Sequence, residues 1–250
     1  MKRSLPRAIV FLLLTSLVLP AFAGSRESAF RAQQLAGPGV WSQVIKIKNA
    51  TPVEISRLPP EFYGLVVVFA DIVWLYTEFD GTQNLSLHRG QTAADVSNLG
   101  ALLRAVDPSW VGFEVVTQPP LPAELPLSPP NSCFPACVAQ WQELQRAKRP
   151  PKEARLIACY APGRITGHML LEFKKGWSRY VYDPERSLRP IRLKWGTGRD
   201  PLAVANAVLA TRWETPPART STVDIAPVHR SASAARMTAT AGSQAPQPRS

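Results

Sequence analysis

The fold of this chain is decided by residues 131–184, which read NSCFPACVAQWQELQRAKRPPKEARLIACYAPGRITGHMLLEFKKGWSRYVYDP. Apolar side chains recur at helical spacing after Cys133, which predicts a helix over Cys133–Arg146, with Pro135 in its first turn. Runs rich in β-branched and aromatic residues follow, separated by turn residues, and predict strands over 154–161, 167–173, 177–182 and 188–195. A helix followed by an antiparallel sheet indicates an α+β fold.

Three residues of this stretch form a pattern typical of nucleophilic catalysis. Cys133 begins the predicted helix, where unpaired backbone N–H groups stabilise a thiolate. His168, on a following strand, can take the thiol proton and return it to a leaving group. Asp183 lies 15 residues further on, across a Lys-Lys-Gly turn, so antiparallel pairing can bring it beside the imidazole and orient it.

This stretch resembles the core of the transglutaminase-like superfamily of cysteine hydrolases, which are relatives of the papain-like peptidases. The resemblance covers roughly fifty residues and rests on a helix headed by a cysteine, the segment around a histidine, and two dipeptides: Cys133, Gly-His-Met-Leu-Leu-Glu-Phe at 167–173, Gly176-Trp177 and Asp183-Pro184. It implies a papain-like arrangement of helix and antiparallel sheet with the catalytic triad Cys133, His168 and Asp183. It also implies an acyl-enzyme mechanism acting on peptide or carboxamide bonds, with hydrolysis by a protease or amidase expected rather than transfer to an amine.

The other two cysteines leave alternatives open. An odd number of cysteines in an exported protein leaves at least one thiol without an intramolecular partner. Cys137 lies one helical turn after Cys133, so it could replace Cys133 as the nucleophile or form a disulfide with it. We expect Cys133 to be the nucleophile, because Cys137 lies inside the helix among its apolar residues. Cys133, Cys137 and His168 are poorly spaced for zinc, and we predict neither a metal nor a cofactor.

Upstream, residues 24–118 form a β-rich region that we assign to no family. The pattern predicts a helix over 24–35, strands over 40–48 and 111–116, and a helix over 93–106. Residues 65–76 read as one buried strand or as a pair bent near Ala70-Asp71, and Asp80-Gly81 is a hairpin signal. Trp110 is a candidate oxyanion donor. Residues 119–130 contain six prolines and are interpreted as an extended linker to the domain at 131–214.

The N-terminus has the three zones of a secretory signal peptide. Positive residues precede the apolar run Ala8–Leu19, and Ala21-Phe22-Ala23 places small residues at a cleavage site. An uncleaved anchor is disfavoured, because the run is about a dozen residues long and a span needs roughly 20. We therefore expect residues 1–23 to be removed, the protein to work in the periplasm or outside the cell, and no stable membrane span to remain.

Composition and charge limit the partners. The net charge is +11, and removal of three positive residues with the signal peptide leaves +8, which is compatible with anionic polymers or lipid head groups. Export and the lack of a nucleic-acid motif argue against a nucleic-acid partner. From Thr215 the chain is composed mainly of Ser, Thr, Ala, Pro and Arg, so residues 215–250 are predicted to be disordered.

The sequence thus supports two functions of different classes. The first is an exported cysteine hydrolase acting on a peptide or protein substrate, in which His88 and His229 take no part. The alternative is a non-catalytic binding or scaffold module of the cell envelope, with a basic surface and cysteines locked in a disulfide.

Overall fold

The computed structural model describes residues 25–51, 58–85, 98–117, 129–163, 167–186, 189–210 and 213–225. Within these residues the chain contains four helices and two antiparallel sheets of five strands each, so the predicted α+β class is confirmed. The predicted signal peptide, most of the proline-rich linker, His88 and His229 lie outside the described residues. Among the described helices, none combines the length and apolar content that crossing a bilayer requires.

The first sheet has the strand order β4-β3-β2-β1-β5. Its elements are α1 (Arg26–Ala36), β1 (Trp41–Asn49), β2 (Glu61–Phe69), β3 (Ile72–Thr77), β4 (Gly81–Leu85), α2 (Leu99–Val106) and β5 (Trp110–Val115). Both faces of its central strands are buried, one under α2 and the other against α1 and the second half of the chain. Burial on two faces explains why residues 65–76 are almost continuously apolar.

The apolar run 65–76 is a pair of strands joined by a tight hairpin. Phe69 pairs with Ile72 across the turn Ala70-Asp71, and both turn residues have positive φ, at 53° and 58°. Two such residues in succession give the turn whose twist matches that of the flanking strands. The bend expected at this point is therefore confirmed as a chain reversal.

The second sheet has the order β10-β6-β7-β8-β9 and follows the helix that begins at Cys133. Its elements are α3 (Cys133–Arg146), β6 (Glu153–Tyr160), β7 (His168–Lys175), β8 (Ser178–Tyr182), β9 (Ile191–Arg192), α4 (Pro201–Leu209) and β10 (Arg219–Ile225). The helix has the predicted bounds. The fourth predicted strand, 188–195, is reduced to the two residues of β9.

The prediction that residues 215–250 are disordered is wrong for 219–225. These residues form β10, which pairs with β6 from Arg219 opposite Tyr160 to Ile225 opposite Ala154. The segment has few large apolar side chains, but an edge strand is held mainly by backbone hydrogen bonds, and Ile225 is buried in the core. Residues 226–250 lie outside the described part of the chain.

One apolar core joins the two halves of the chain. It contains residues of α1 and the first sheet together with residues of α3 and the second sheet. The side chain of Gln142 on α3 donates to the carbonyl of Ala36 and accepts from the N–H of Gly39, at 2.6 and 3.1 Å. The helix that carries Cys133 is therefore fixed to the end of α1 as well as packed into the shared core.

Candidate functional site

The first sheet holds the chain in place just before α3. The hydroxyl of Tyr76 donates to the carbonyl of Pro130 at 2.6 Å, and the amide of Asn131 donates to the carbonyl of Glu78 at 2.6 Å. Phe134, fully buried, packs on Trp74 with ring centroids 4.8 Å apart. Cys133, between these anchors, is half-buried at the first position of α3. Its position is therefore set by contacts with β3 and with the turn that follows it.

His168 and Asp183 form a buried pair on the second sheet. His168 begins β7 opposite Cys159, and Asp183 directly follows β8. The Nε2 atom of His168 lies 2.8 Å from Oδ1 of Asp183, and both side chains are buried, at 5% and 0% exposure. The same Oδ1 accepts the backbone N–H of Glu185 at 3.1 Å. The hairpin thus brings together the two residues that the sequence placed 15 positions apart.

The second ring nitrogen of His168 is not engaged with Asp183. Nε2 is engaged with Asp183, while Nδ1 lies 3.5 Å from Oε1 of Glu185. Burial by itself lowers the pKa of His168, but the hydrogen bond to Asp183 and the interactions with Cys133 and Glu185 raise it to about 9. Cys133, whose thiol donates to the carbonyl of Asn131 at 4.0 Å, lines the same two cavities as His168. The structure therefore brings all three predicted residues, Cys133, His168 and Asp183, into one site.

Two cavities meet at Cys133 and His168. One, of about 350 Å³, lies between β4 of the first sheet and β6, β7 and β10 of the second, with apolar residues such as Met169 in its lining. The other, of about 400 Å³, is lined by residues of the turns and loops beside them, including Glu185 and Trp213. A reactive pair placed between two cavities can act on the middle of an extended ligand that occupies both.

Gly167 belongs to the lining of both cavities, and its lack of a side chain is required there. A Cβ at this position would lie 2.7 Å from the carbonyl oxygen of Cys159 and 2.9 Å from the ring of Tyr160. Any larger residue would therefore push β6 and β7 apart beside His168. This close approach is the physical reason for the Gly-His dipeptide at the start of β7.

The other two thiols are not placed for chemistry. Cys137 and Cys159 are completely buried, and the thiol of Cys137 donates to the carbonyl of Met169 at 3.5 Å. Burial raises the pKa of Cys137 well above its usual range and that of Cys159 to about 12. All three cysteines are free, so the Cys133–Cys137 disulfide that the sequence left open is not formed in the structure.

Trp110 does not reach the site. It packs against Phe62, with centroids 5.6 Å apart, in the core beneath α2 on the far face of the first sheet. The side-chain amides in the cavity beside Cys133 are instead those of Gln83 and Asn84 on β4. Sequence reasoning missed both residues. Polar side chains on a strand that follows a buried strand indicate a sheet edge facing solvent or a cleft, and this pattern is the signal that could have revealed them.

Asp80 is a further acidic group of the same cavity that sequence reasoning did not assign to the site. It lies in the turn before β4, and burial, with a smaller effect of the charge of Asp107, raises its pKa. In the described part of the chain, His, Cys, Asp and Glu residues form no group of three or more that could bind a metal ion.

Comparison with known proteins gives no relative to guide the assignment. No protein-family model matches the chain, and neither a curated protein nor a solved structure matches it. The function is therefore inferred from the geometry around Cys133.

Proposed function

We propose that this chain is an exported cysteine hydrolase of the transglutaminase-like kind, a protease or amidase that acts on peptide or carboxamide bonds. The observation that carries the proposal is the buried contact of 2.8 Å between His168 and Asp183, together with Cys133 at the start of α3, which lines the same two cavities as His168. This order of nucleophile, base and orienting carboxylate is the one that acyl transfer requires.

In the acylation step, the thiolate of Cys133 attacks the carbonyl carbon and forms a C–S bond. The protonated His168 gives its Nδ1 proton to the leaving nitrogen as the C–N bond breaks, so an amine departs and a thioester remains. Asp183 stays hydrogen-bonded to Nε2 of His168 throughout this step and stabilises the imidazolium. Water then attacks the thioester with His168 as the base, which releases a carboxylic acid and restores the thiol.

The oxyanion that develops during the attack requires hydrogen-bond donors close to it. The candidates are the free backbone N–H groups at the start of α3 and the side-chain amides of Gln83 and Asn84, which share the cavity with Cys133. The two cavities on either side of the Cys133–His168 pair suit a polypeptide bound in an extended form. A peptide or protein substrate is therefore part of the proposal.

The proposal is tested by incubating the protein with a library of proteome-derived peptides and identifying new termini by mass spectrometry. We expect new termini with the wild type and none with Cys133→Ser, whereas Cys137→Ser retains them as the matched control. A wild type that cleaves nothing and whose Cys133 reacts with iodoacetamide no faster than free cysteine would refute the hydrolase and favour the non-catalytic scaffold.

A further inference from the structure

Two tryptophans stand almost completely in solvent on the second sheet. Trp177 is 96% exposed and Trp195 is 98% exposed. Tryptophan is on average a highly buried residue, since its indole is the largest apolar side chain. Two fully exposed indoles in one region therefore indicate a surface that binds a partner.

Both indoles lie at the same end of the sheet. Trp177 belongs to the turn between β7 and β8, where Lys175 pairs with Ser178. The N–H of Leu193 donates to the carbonyl of Arg179 at 2.9 Å, and the guanidinium of Arg179 donates to the carbonyls of Thr197 and Gly198 at 3.0 and 2.8 Å. The segment that carries Trp195 therefore runs beside the first residues of β8.

Exposed lysines lie at the same end of the sheet as the two indoles. Lys175 lies two residues before Trp177 and Lys194 directly precedes Trp195. The loop from α3 to β6 brings Lys148 and Lys152 to this end, because β6 starts at Glu153 opposite Lys174. We call this region the Trp177–Trp195 surface; it comprises Lys148, Lys152, Lys175, Trp177, Lys194 and Trp195.

Carboxylates at this end are fewer, and two of them are already engaged. Glu153 lies 3.6 Å from Lys174, and Asp200 caps α4 by accepting the N–H of Ala203 at 3.0 Å. Asp224 lies on the edge strand β10, next to its last residue. The Trp177–Trp195 surface is therefore cationic as well as partly apolar.

We propose that the Trp177–Trp195 surface docks the protein onto a membrane that contains anionic lipid. Indoles prefer the head-group region of a bilayer, where the ring is apolar and the N–H is hydrated, and lysines beside them are attracted to lipid phosphates. An anionic polymer without ring or apolar surfaces would bind the lysines but would gain little from two indoles on protruding turns. The combination therefore fits a lipid surface better than a polymer.

Docking by this surface also orients the molecule. The catalytic residues lie at the other end of β7, which has eight residues from His168 to Lys175. At the rise of a β-strand, His168 lies about 23 Å along the sheet from Lys175, so docking through the far end leaves the candidate site away from the docking surface. The docking proposal does not depend on the chemistry proposed for Cys133, but it would concentrate any such activity next to the membrane.

The proposal is tested with protein that lacks the predicted signal peptide, residues 1–23, and its mass is measured first to check this. It is sedimented with vesicles of phosphatidylcholine alone and with vesicles of equal parts phosphatidylcholine and phosphatidylglycerol. We expect binding to the anionic vesicles with a blue shift of the tryptophan emission, and a loss of affinity of about tenfold or more in the double variant Trp177→Ala/Trp195→Ala. Lys175→Gln and Lys194→Gln should each reduce the affinity about fivefold.

A matched control removes exposed apolar surface elsewhere. Val111 and Val115, on the edge strand β5 of the first sheet, are 57% and 60% exposed, and Val111→Ser/Val115→Ser should bind vesicles as the wild type does. Equal vesicle binding by the wild type and the double tryptophan variant would overturn the proposal. So would binding to dextran sulfate but not to vesicles, which would assign the surface to an anionic polymer, or dimerisation through the indoles without lipid, which would assign it to a second copy.

Discussion

The two ends of the second sheet differ in how far their functional side chains are exposed to solvent. At one end His168 and Asp183 are buried and paired, and their environment raises the pKa of the imidazole to about 9. At the other end Trp177 and Trp195 are exposed among lysines. Burial makes charged groups at the first end depend strongly on one another, whereas exposed charges at the second end are screened and interact weakly.

A buried acidic residue lies between the two ends. Glu172, in the middle of β7, accepts hydrogen bonds from Arg155 on β6, at 2.6 Å, and from Arg179 on β8. Its side chain is 7% exposed. The same guanidinium groups donate to carbonyls of residues 197–199, so Glu172 ties three strands to the loop that follows Trp195.

The largest effect is expected at the nucleophile. Cys133→Ala should abolish labelling by a peptide-based electrophile such as an acyloxymethyl ketone, while Cys137→Ala should retain most of it, because Cys137 is buried and its thiol pKa is raised. Labelling is measured by intact-protein mass spectrometry. If Cys137→Ala loses the label and Cys133→Ala keeps it, the assignment is wrong.

The second effect concerns the buried pair. Asp183→Asn should slow labelling of Cys133 by about 100-fold, since the imidazolium loses its partner. His168→Ala should in addition destabilise the fold by about 3–5 kcal/mol, because the buried carboxylate of Asp183 loses the imidazolium that lies 2.8 Å away. Chemical denaturation of His168→Ala and of His168→Ala/Asp183→Ala separates the effect of the buried carboxylate from the effect of removing the imidazole itself. A double variant no more stable than the single one would contradict this explanation.

A smaller effect is expected at the middle of the sheet. Glu172→Gln should destabilise the fold by about 2–3 kcal/mol, since two arginines lose a buried anion. The rate at which Cys133 is labelled in the folded protein should stay within about twofold of the wild type, because Glu172 does not contact the site. Denaturation curves and labelling rates, taken on the same sample, test both statements. A large fall in the labelling rate of folded Glu172→Gln would make Glu172 part of the catalytic machinery.

A change with pH is also expected. The pKa of His168 is raised from 6.5 to about 9, so the folded state binds this proton more tightly than the unfolded state does. The resulting stabilisation is complete below about pH 6.5 and is lost as the pH rises through 9. Hydrolysis should also fall above about pH 9, because the leaving group needs the imidazolium proton, whereas alkylation of Cys133 by iodoacetamide should not fall. Stability curves for wild type and His168→Ala test the first statement, and identical pH slopes would contradict it.

The secondary structure of the second half was largely readable from local patterns. Apolar spacing after Cys133 gave a helix with the observed bounds, and the Lys174-Lys175-Gly176 turn gave the hairpin that carries His168 and Asp183. β10 was missed because its pairing with β6 depends on the backbone and on a neighbour distant in sequence. The length of β9 was overestimated for a related reason, since only two residues of the predicted strand pair with β8.

The sequence by itself determined the order of Cys133, His168 and Asp183 and the turns between them, because helix starts and hairpins are encoded by neighbouring residues. Only the tertiary structure decided that β4 places Gln83 and Asn84 beside Cys133 and that Trp110 lies in a separate core. It also decided that Trp177 and Trp195, separated along the chain, share one end of a sheet. These placements depend on how the strands are ordered and on which faces are covered, which local sequence does not specify.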